Sequence, residues 1–170
     1  PDQNRLTLNV KILENHMFRT ICIAAAVVTF GLPVWAAECE GWNTEEFFKA
    51  VSPDDAASCL RTGSDAMARS EDGTTPLHYA AAYSNDNPAV LEVLIAAGAD
   101  LNTRTEDGNT PLHYAADSND DSAVLEVLIA AGADVNARNE GGELPFDFAE
   151  GNYAIKGSKV YWVLNDARFK

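Results

Sequence analysis

Gly73-Thr74-Thr75-Pro76-Leu77-His78-Tyr79-Ala80-Ala81 recurs as Gly108-Asn109-Thr110-Pro111-Leu112-His113-Tyr114-Ala115-Ala116, an offset of 35 residues. A second block, Ala89-Val90-Leu91-Glu92-Val93-Leu94-Ile95-Ala96-Ala97-Gly98-Ala99-Asp100, recurs over residues 123–134 at an offset of 34. Self-similarity at this period marks a repeat architecture, in which each unit buries its apolar face only by stacking on the next. One residue is lost between the blocks, around residues 83–87, and a helix–helix connection absorbs such a deletion easily.

Each block carries helix punctuation. Thr75 and Thr110 suit N-caps, and Pro76 and Pro111 suit the first helical position, where a missing N–H costs nothing. Asn87 and Asp121 can cap a second helix, which Gly98 and Gly132 end in the left-handed conformation that other residues avoid. In that helix Val90, Leu91, Leu94 and Ile95 form one apolar stripe, repeated by Val124, Leu125, Leu128 and Ile129. In the first helix Ala80 and Ala81 are small enough to let a neighbouring helix approach. Truncating Leu94 or Leu128 to Ala is expected to cost about 2–5 kcal/mol as a core cavity.

The Thr-Pro-Leu-His-Tyr-Ala-Ala block followed by Leu-Ile-Ala-Ala-Gly-Ala-Asp, twice at this period, resembles the ankyrin repeats. The resemblance implies an all-α solenoid of about four stacked helix pairs with β-turn fingers, its terminal pairs serving as degenerate caps. The expected repeats are 44–72, 73–107, 108–141 and 142–170. In the first, residues 45–51 and 53–61 form the two helices, and Cys59 occupies the column of Leu94 and Leu128. In the last, Leu144-Pro145-Phe146-Asp147-Phe148-Ala149 keeps Pro and Ala but lacks the Thr cap and the His. Val160, Val163 and Leu164 suggest a closing amphipathic helix, with Tyr161 and Trp162 helping to seal the stack. The inner connections, residues 84–88 and 117–121, are longer than the family's usual Gly-His turn and look like a bacterial variant.

The family pattern also assigns side chains. His78 and His113 are implied to hydrogen-bond loop backbone and tie neighbouring repeats together; stacked helices lie roughly 8–10 Å apart, so a shared metal is not expected. The finger columns are Arg69, Arg104 and Arg138, then Glu71, Glu106 and Glu140, then Asp72, Asp107 and Gly141. These columns are expected either to form basic and acidic ribbons open to a partner or to neutralise each other in solvent. On the ribbon reading, Arg104→Ala changes stability by less than about 0.5 kcal/mol. Other positions that the family uses for binding fall on Thr74, Asn109, Glu143, Tyr83, Asp117 and Ser118. Tyr83 is the best anchor candidate among them, because a tyrosine at a groove edge offers large contact area at low entropy cost. Tyr79 and Tyr114 are expected to pack against neighbouring helices.

Composition narrows the setting. The 170 residues carry 26 Asp+Glu against 12 Lys+Arg, a formal charge of −14, which excludes nucleic-acid or anionic-lipid binding through overall charge and leaves basic proteins as possible partners. Residues 1–16 read as upstream sequence outside the fold. From Met17 the chain has the parts of a secretory signal over residues 17–36: Arg19, an apolar run over 21–32, and Val34-Trp35-Ala36 before an expected cleavage. The rival reading is an uncleaved anchor. A mature domain over 37–170 would hold 9 Lys+Arg and 24 Asp+Glu, would be periplasmic or secreted, and would not insert into a membrane. It keeps Cys39 and Cys59, and two cysteines in an exported chain invite a disulfide; the alternative is a buried thiol at Cys59 and an exposed one at Cys39.

No phosphate loop, zinc-protease helix or nucleophile elbow is present in the sequence, and Asp-Gly pairs such as Asp72-Gly73 are turn chemistry. With both histidines structural, no nucleophile–base pair is evident. The expectation is therefore a small exported bacterial ankyrin-repeat protein, monomeric, non-catalytic and without metal or cofactor, binding a protein partner through its fingers and concave helix face. The alternatives are an enzyme or small-ligand protein on the same scaffold, and the same binding module retained in the cytoplasm.

Overall fold

The computed structural model describes residues 39–84 and 88–169. The unit Gly41–Lys170 carries eight α-helices and no strand among the described residues. They are α1 (Glu45–Ala50), α2 (Pro53–Thr62), α3 (Pro76–Tyr83), α4 (Ala89–Ala96), α5 (Pro111–Ser118), α6 (Ser122–Ala131), α7 (Pro145–Ala149) and α8 (Lys159–Ala167). The odd-numbered helices contact one another in order, α1 to α3 to α5 to α7, and so do the even-numbered ones, α2 to α4 to α6 to α8. Two helical layers therefore run the length of the stack, as the sequence period requires.

Local chemistry sets the helix ends. Proline opens α2, α3, α5 and α7, each after a residue in extended conformation. Asp121 caps α6 by accepting a hydrogen bond from the Ala123 N–H at 2.9 Å. Asn87 lies outside the described residues, and α4 starts directly after Pro88. At the other end Gly63, Gly98 and Gly132 hold φ of +113°, +91° and +105°. The next residue's N–H then returns to a carbonyl in the last turn: Ser64 to Cys59, Ala99 to Leu94 and Ala133 to Leu128, each at 3.0 Å. These three equivalent bonds place Cys59 in the column of Leu94 and Leu128.

The core is the stripe read from the sequence. Val90, Leu91, Leu94, Val124, Leu125 and Leu128 are buried, while Ile95 and Ile129 are half-buried against them. Leu77 and Leu112 sit inside with Ala80, Ala81, Ala115 and Ala116, whose methyl groups let α3 and α5 pack closely. At the N-terminal end Phe48 is buried beside Trp42 and Phe47 and stacks on Tyr79 at 6.4 Å. Cys59 is buried and joined to Cys39 as a disulfide.

At the C-terminal end Val160, Tyr161 and Leu164 of α8 are buried, but Trp162 is 55% exposed and Val163 is 40% exposed. The buried set follows an i, i+1, i+4 stripe; at about 100° per residue the next two positions turn to the outer side of the helix. The expectations that Val163 lies on the apolar stripe and that Trp162 helps to seal the stack are corrected accordingly; Tyr161 is buried as expected, together with Phe146 and Ile155. The upstream residues 1–16, the signal-like residues 17–36 and the cleavage site after Ala36 lie outside the described residues. No helix among the described residues is long and apolar enough to cross a membrane.

Candidate functional site

Each finger is a tight turn held by its own side chains. In the first, Ser70 N–H donates to Thr74 O at 2.9 Å and Gly73 N–H to Ser70 O at 3.0 Å. The Asp72 carboxylate accepts from the Ser70 hydroxyl, and from Thr74 Oγ1 at 2.8 Å and Thr74 N–H at 3.2 Å. The Ser70 bond first, and then those from Thr74, hold the Asp72 carboxyl below the ordinary carboxylate range. Thr74 is 1% exposed. The turn faces it inward, so this candidate for partner contact has no free surface.

Adjacent fingers are joined through backbone. Glu106 N–H donates to Asp72 O at 2.8 Å, and Glu140 N–H to Asp107 O at 2.9 Å. The arginine column adds a second seam. Arg69 Nη2 donates to the carbonyl of Arg104 at 2.6 Å, and Arg104 Nη1 to the carbonyl of Arg138 at 2.6 Å. Arg138 closes the ladder on its own finger, donating to Gly142 O at 2.7 Å. The ion pairs among the described residues join Lys49 to Glu45 and Glu46, and Arg168 to Glu150; none joins a finger arginine to a finger carboxylate. Glu71, Glu106, Asp107, Glu140 and Glu143 stand exposed along the tips. Glu143 is partly held by Asn139 Nδ2, which donates to its Oε2 at 2.9 Å.

Behind the fingers, the histidines work as bolts between repeats. Thr75 N–H donates to His78 Nδ1 at 3.2 Å, and the Thr75 hydroxyl lies 2.8 Å from the same nitrogen. A backbone N–H can only donate, so Nδ1 accepts and the ring proton sits on Nε2. Nε2–H then donates to Asn109 O at 3.2 Å, in the next repeat's finger. His113 repeats the arrangement, with Nδ1 on Thr110 and Nε2 on Glu143 O at 3.2 Å. Burial pushes the His78 imidazole down to about 4 and lowers that of His113. Both are neutral near pH 7, held in one tautomer by the fold. In the last repeat Asp147 stands where the histidine would be, and its carboxylate accepts from Leu144 N–H at 2.7 Å. The cap keeps its opening turn but sends no bond to a following finger.

Between the fingers and the odd-numbered helices lies an open groove of about 280 Å³, lined by Tyr83, Asn109, His113, Tyr114, Asp117, Ser118 and Phe148. Four residues expected to contact a partner, Tyr83, Asn109, Asp117 and Ser118, meet here. The aromatic walls are fixed from behind: Tyr114 meets the His78 ring edge-on at 5.1 Å, and Phe148 meets that of His113 at 5.5 Å. Lys49 Nζ, from α1, stands over the Tyr83 ring at 5.1 Å from its centroid. Asp117 and Ser118 are exposed at the end of α5, where Ser118 Oγ donates to the Asp117 carboxylate at 2.8 Å.

A family model for ankyrin repeats (3 copies) matches residues 46–139. The chain belongs to the ankyrin-repeat family. No curated protein matches it. Ankyrin repeats are protein–protein interaction modules and the family is typically non-enzymatic. Among the described residues of this ankyrin domain no group of three or more His, Cys, Asp or Glu could hold a metal ion.

The ankyrin stack has one further seam that the sequence reading did not single out. Asn119 is buried and its Nδ2 donates to Ala81 O at 2.8 Å, while its Oδ1 accepts from Asp121 N–H at 2.8 Å. Asn152, also buried, donates from Nδ2 to Asn119 O at 2.8 Å and Ala116 O at 3.2 Å. The inner connections are thus tied to the preceding helices, which fixes where Asp117 and Ser118 stand. The available signal was an Asn in each connection, hidden among many polar neighbours.

Proposed function

We propose that this ankyrin-repeat chain is an exported, non-catalytic, monomeric module that holds a protein partner against the groove and the adjoining fingertips. The observation that carries this reading is the groove itself. It brings Tyr83, Asn109, Asp117 and Ser118 together with Tyr114 and Phe148 on one face, aromatic at the walls and acidic at the rim. Such a mixture of ring surface and a few placed polar groups suits a protein contact. The exposed Glu71, Glu106, Asp107, Glu140 and Glu143 extend the surface along the fingers, and the formal charge of −14 favours a partner with a basic face. Export is supported by the signal-like order of residues 17–36 and by the Cys39–Cys59 disulfide, which persists in oxidising compartments.

Two measurements test the reading. A photo-crosslinking amino acid is placed at Ser118 in the groove, at Glu106 on a fingertip, and at Glu92 on the exposed side of α4, in protein expressed from Met17 in a bacterial host. A defined protein adduct from Ser118 and Glu106, absent from Glu92, is expected; an adduct from Glu92 alone would place the contact on the wrong face. The intact mass of the same protein, with and without reductant, is expected to show a start at Ala37 and one disulfide. A mass that retains residues 17–36 in protein recovered from the cytoplasm would end the export half of the proposal.

A further inference from the structure

Among the described residues no Lys or Arg forms an ion pair with Asp117. It lies in the last turn of α5, which carries no basic residue there, and the Ser118 hydroxyl is the partner that reaches it. A carboxylate in that position faces the negative end of the helix dipole, so it does nothing for the stability of the free helix. One interhelical gap nearer the N-terminus, the chain solves a similar problem internally. There Lys49 lies over the Tyr83 ring at 5.1 Å and pairs with Glu45 on α1. The groove borders the same tyrosine, with Tyr114, Phe148 and Asp117 around it and no Lys or Arg among its described lining residues.

We propose that the groove takes a single cationic side chain, Arg or Lys, from the protein partner. Its apolar stem would lie along Tyr83, Tyr114 and Phe148, and its charged head would meet Asp117. The site would thus repeat, with a partner's cation, what Lys49 does with Tyr83 and Glu45 inside the chain. Three features support the occupant independently. Aromatic rings attract a cation through their negative faces. Lys and Arg bury their stems on apolar surface while keeping the head on a polar rim. The chain as a whole, at −14, draws cationic rather than anionic partners. This inference rests on the protein-interaction reading of the groove and adds the chemistry of the residue that fills it.

The test uses the whole domain and small probes. Isotope-labelled protein is titrated with N-acetyl-arginine methylamide, N-acetyl-lysine methylamide and the uncharged citrulline counterpart, and shifts are followed at Tyr83, Tyr114, Asp117 and Phe148. Saturable shifts with the two cationic probes are expected, weaker by about fivefold or more for citrulline and in Asp117→Asn, as loss of a charge-assisted contact implies. Asp117 is exposed, so the variant folds, which its unchanged amide spectrum away from the groove verifies. Equal binding of citrulline, cationic binding that survives Asp117→Asn, or no shifts in the groove would each overturn the proposal. An adduct from Ser118 alongside any of those results would leave the partner reading standing and remove only the cation.

Discussion

Arg69 and Arg104 are joined end to end: the guanidinium of the first donates to the main-chain carbonyl of the second at 2.6 Å, and the second does the same to Arg138. The column read either as a basic ribbon open to a partner or as a counter-charge to the finger carboxylates is a structural seam that keeps its positive charge but aims donors along the stack.

Stability follows from that geometry. Arg104→Ala removes one charge-assisted bond to a neighbouring finger, discounted for exposure to about 1 kcal/mol. The ribbon reading put the loss below about 0.5 kcal/mol. Urea denaturation of Arg104→Ala and Arg138→Ala separates the two. The Arg138 guanidinium donates within its own finger, and its carbonyl stays in place to accept from Arg104, so its variant is expected to lose less. Identical midpoints for both variants and the wild type would refute the seam.

The contrast between what was legible and what was not has a physical basis. Caps, stripes and Gly stops are local patterns, and Thr75, Pro76, Leu94 and Gly98 carry them within a few residues of the structure they specify. Tyr83, Asn109, Asp117 and Ser118 were nominated through the ankyrin resemblance, and the fold brings the four to one groove. The Arg69 ladder and the Asn119–Asn152 seam depend on an acceptor about one repeat away, and nothing adjacent in the chain signals it. Thr74 shows the same limit: its turn position suggested contact, but the Asp72 carboxylate draws it inward.

The histidine bolts make the domain sensitive to mild acid. Burial lowers the His78 imidazole from the ordinary 6.5 to about 4, so between those values the unfolded chain binds a proton that the folded chain refuses. The bolt's contribution is fully present above about pH 6.5 and is lost as pH falls toward 4, amounting to about 3 kcal/mol for His78. His113 is shifted in the same direction and adds to the slope, and Asp72 contributes only further down, below its own unfolded range. Unfolding free energies at pH 7, 6 and 5 are expected to decline steadily. A flat profile, with the His78 ring titrating near 6.5 by NMR, would contradict the neutral bolt.

The spacing of the fingers can be tested with two glycines. Gly108 holds φ +77°, and a Cβ there would come 2.8 Å from Glu140 N and 3.1 Å from Asn139 Cα. Gly142 holds nearly the same φ, +78°, with nothing within 4 Å. Gly142→Ala therefore carries only the left-handed backbone cost, about 1–2 kcal/mol. Gly108→Ala carries that cost plus displacement of the neighbouring finger's backbone and is expected to lose at least about 1 kcal/mol more. Equal losses would mean that the fingers are free to move apart.

Asp117 is expected to show the conflict between stability and binding most directly. Its carboxylate sits in the final turn of α5, where no basic side chain offsets the helix dipole. Asp117→Asn removes the like-signed charge and keeps the side chain's shape, so the free domain should gain about 0.3–1 kcal/mol at low salt. The gain should shrink as salt screens the dipole. If the groove receives a cation, the same variant binds its partner less well, so stability and affinity move in opposite directions. Denaturation at two ionic strengths, set beside the arginine titration, reads both. A variant that loses stability would show that Asp117 is held by contacts inside the fold, and the reason for reading it as a partner's anchor would be gone.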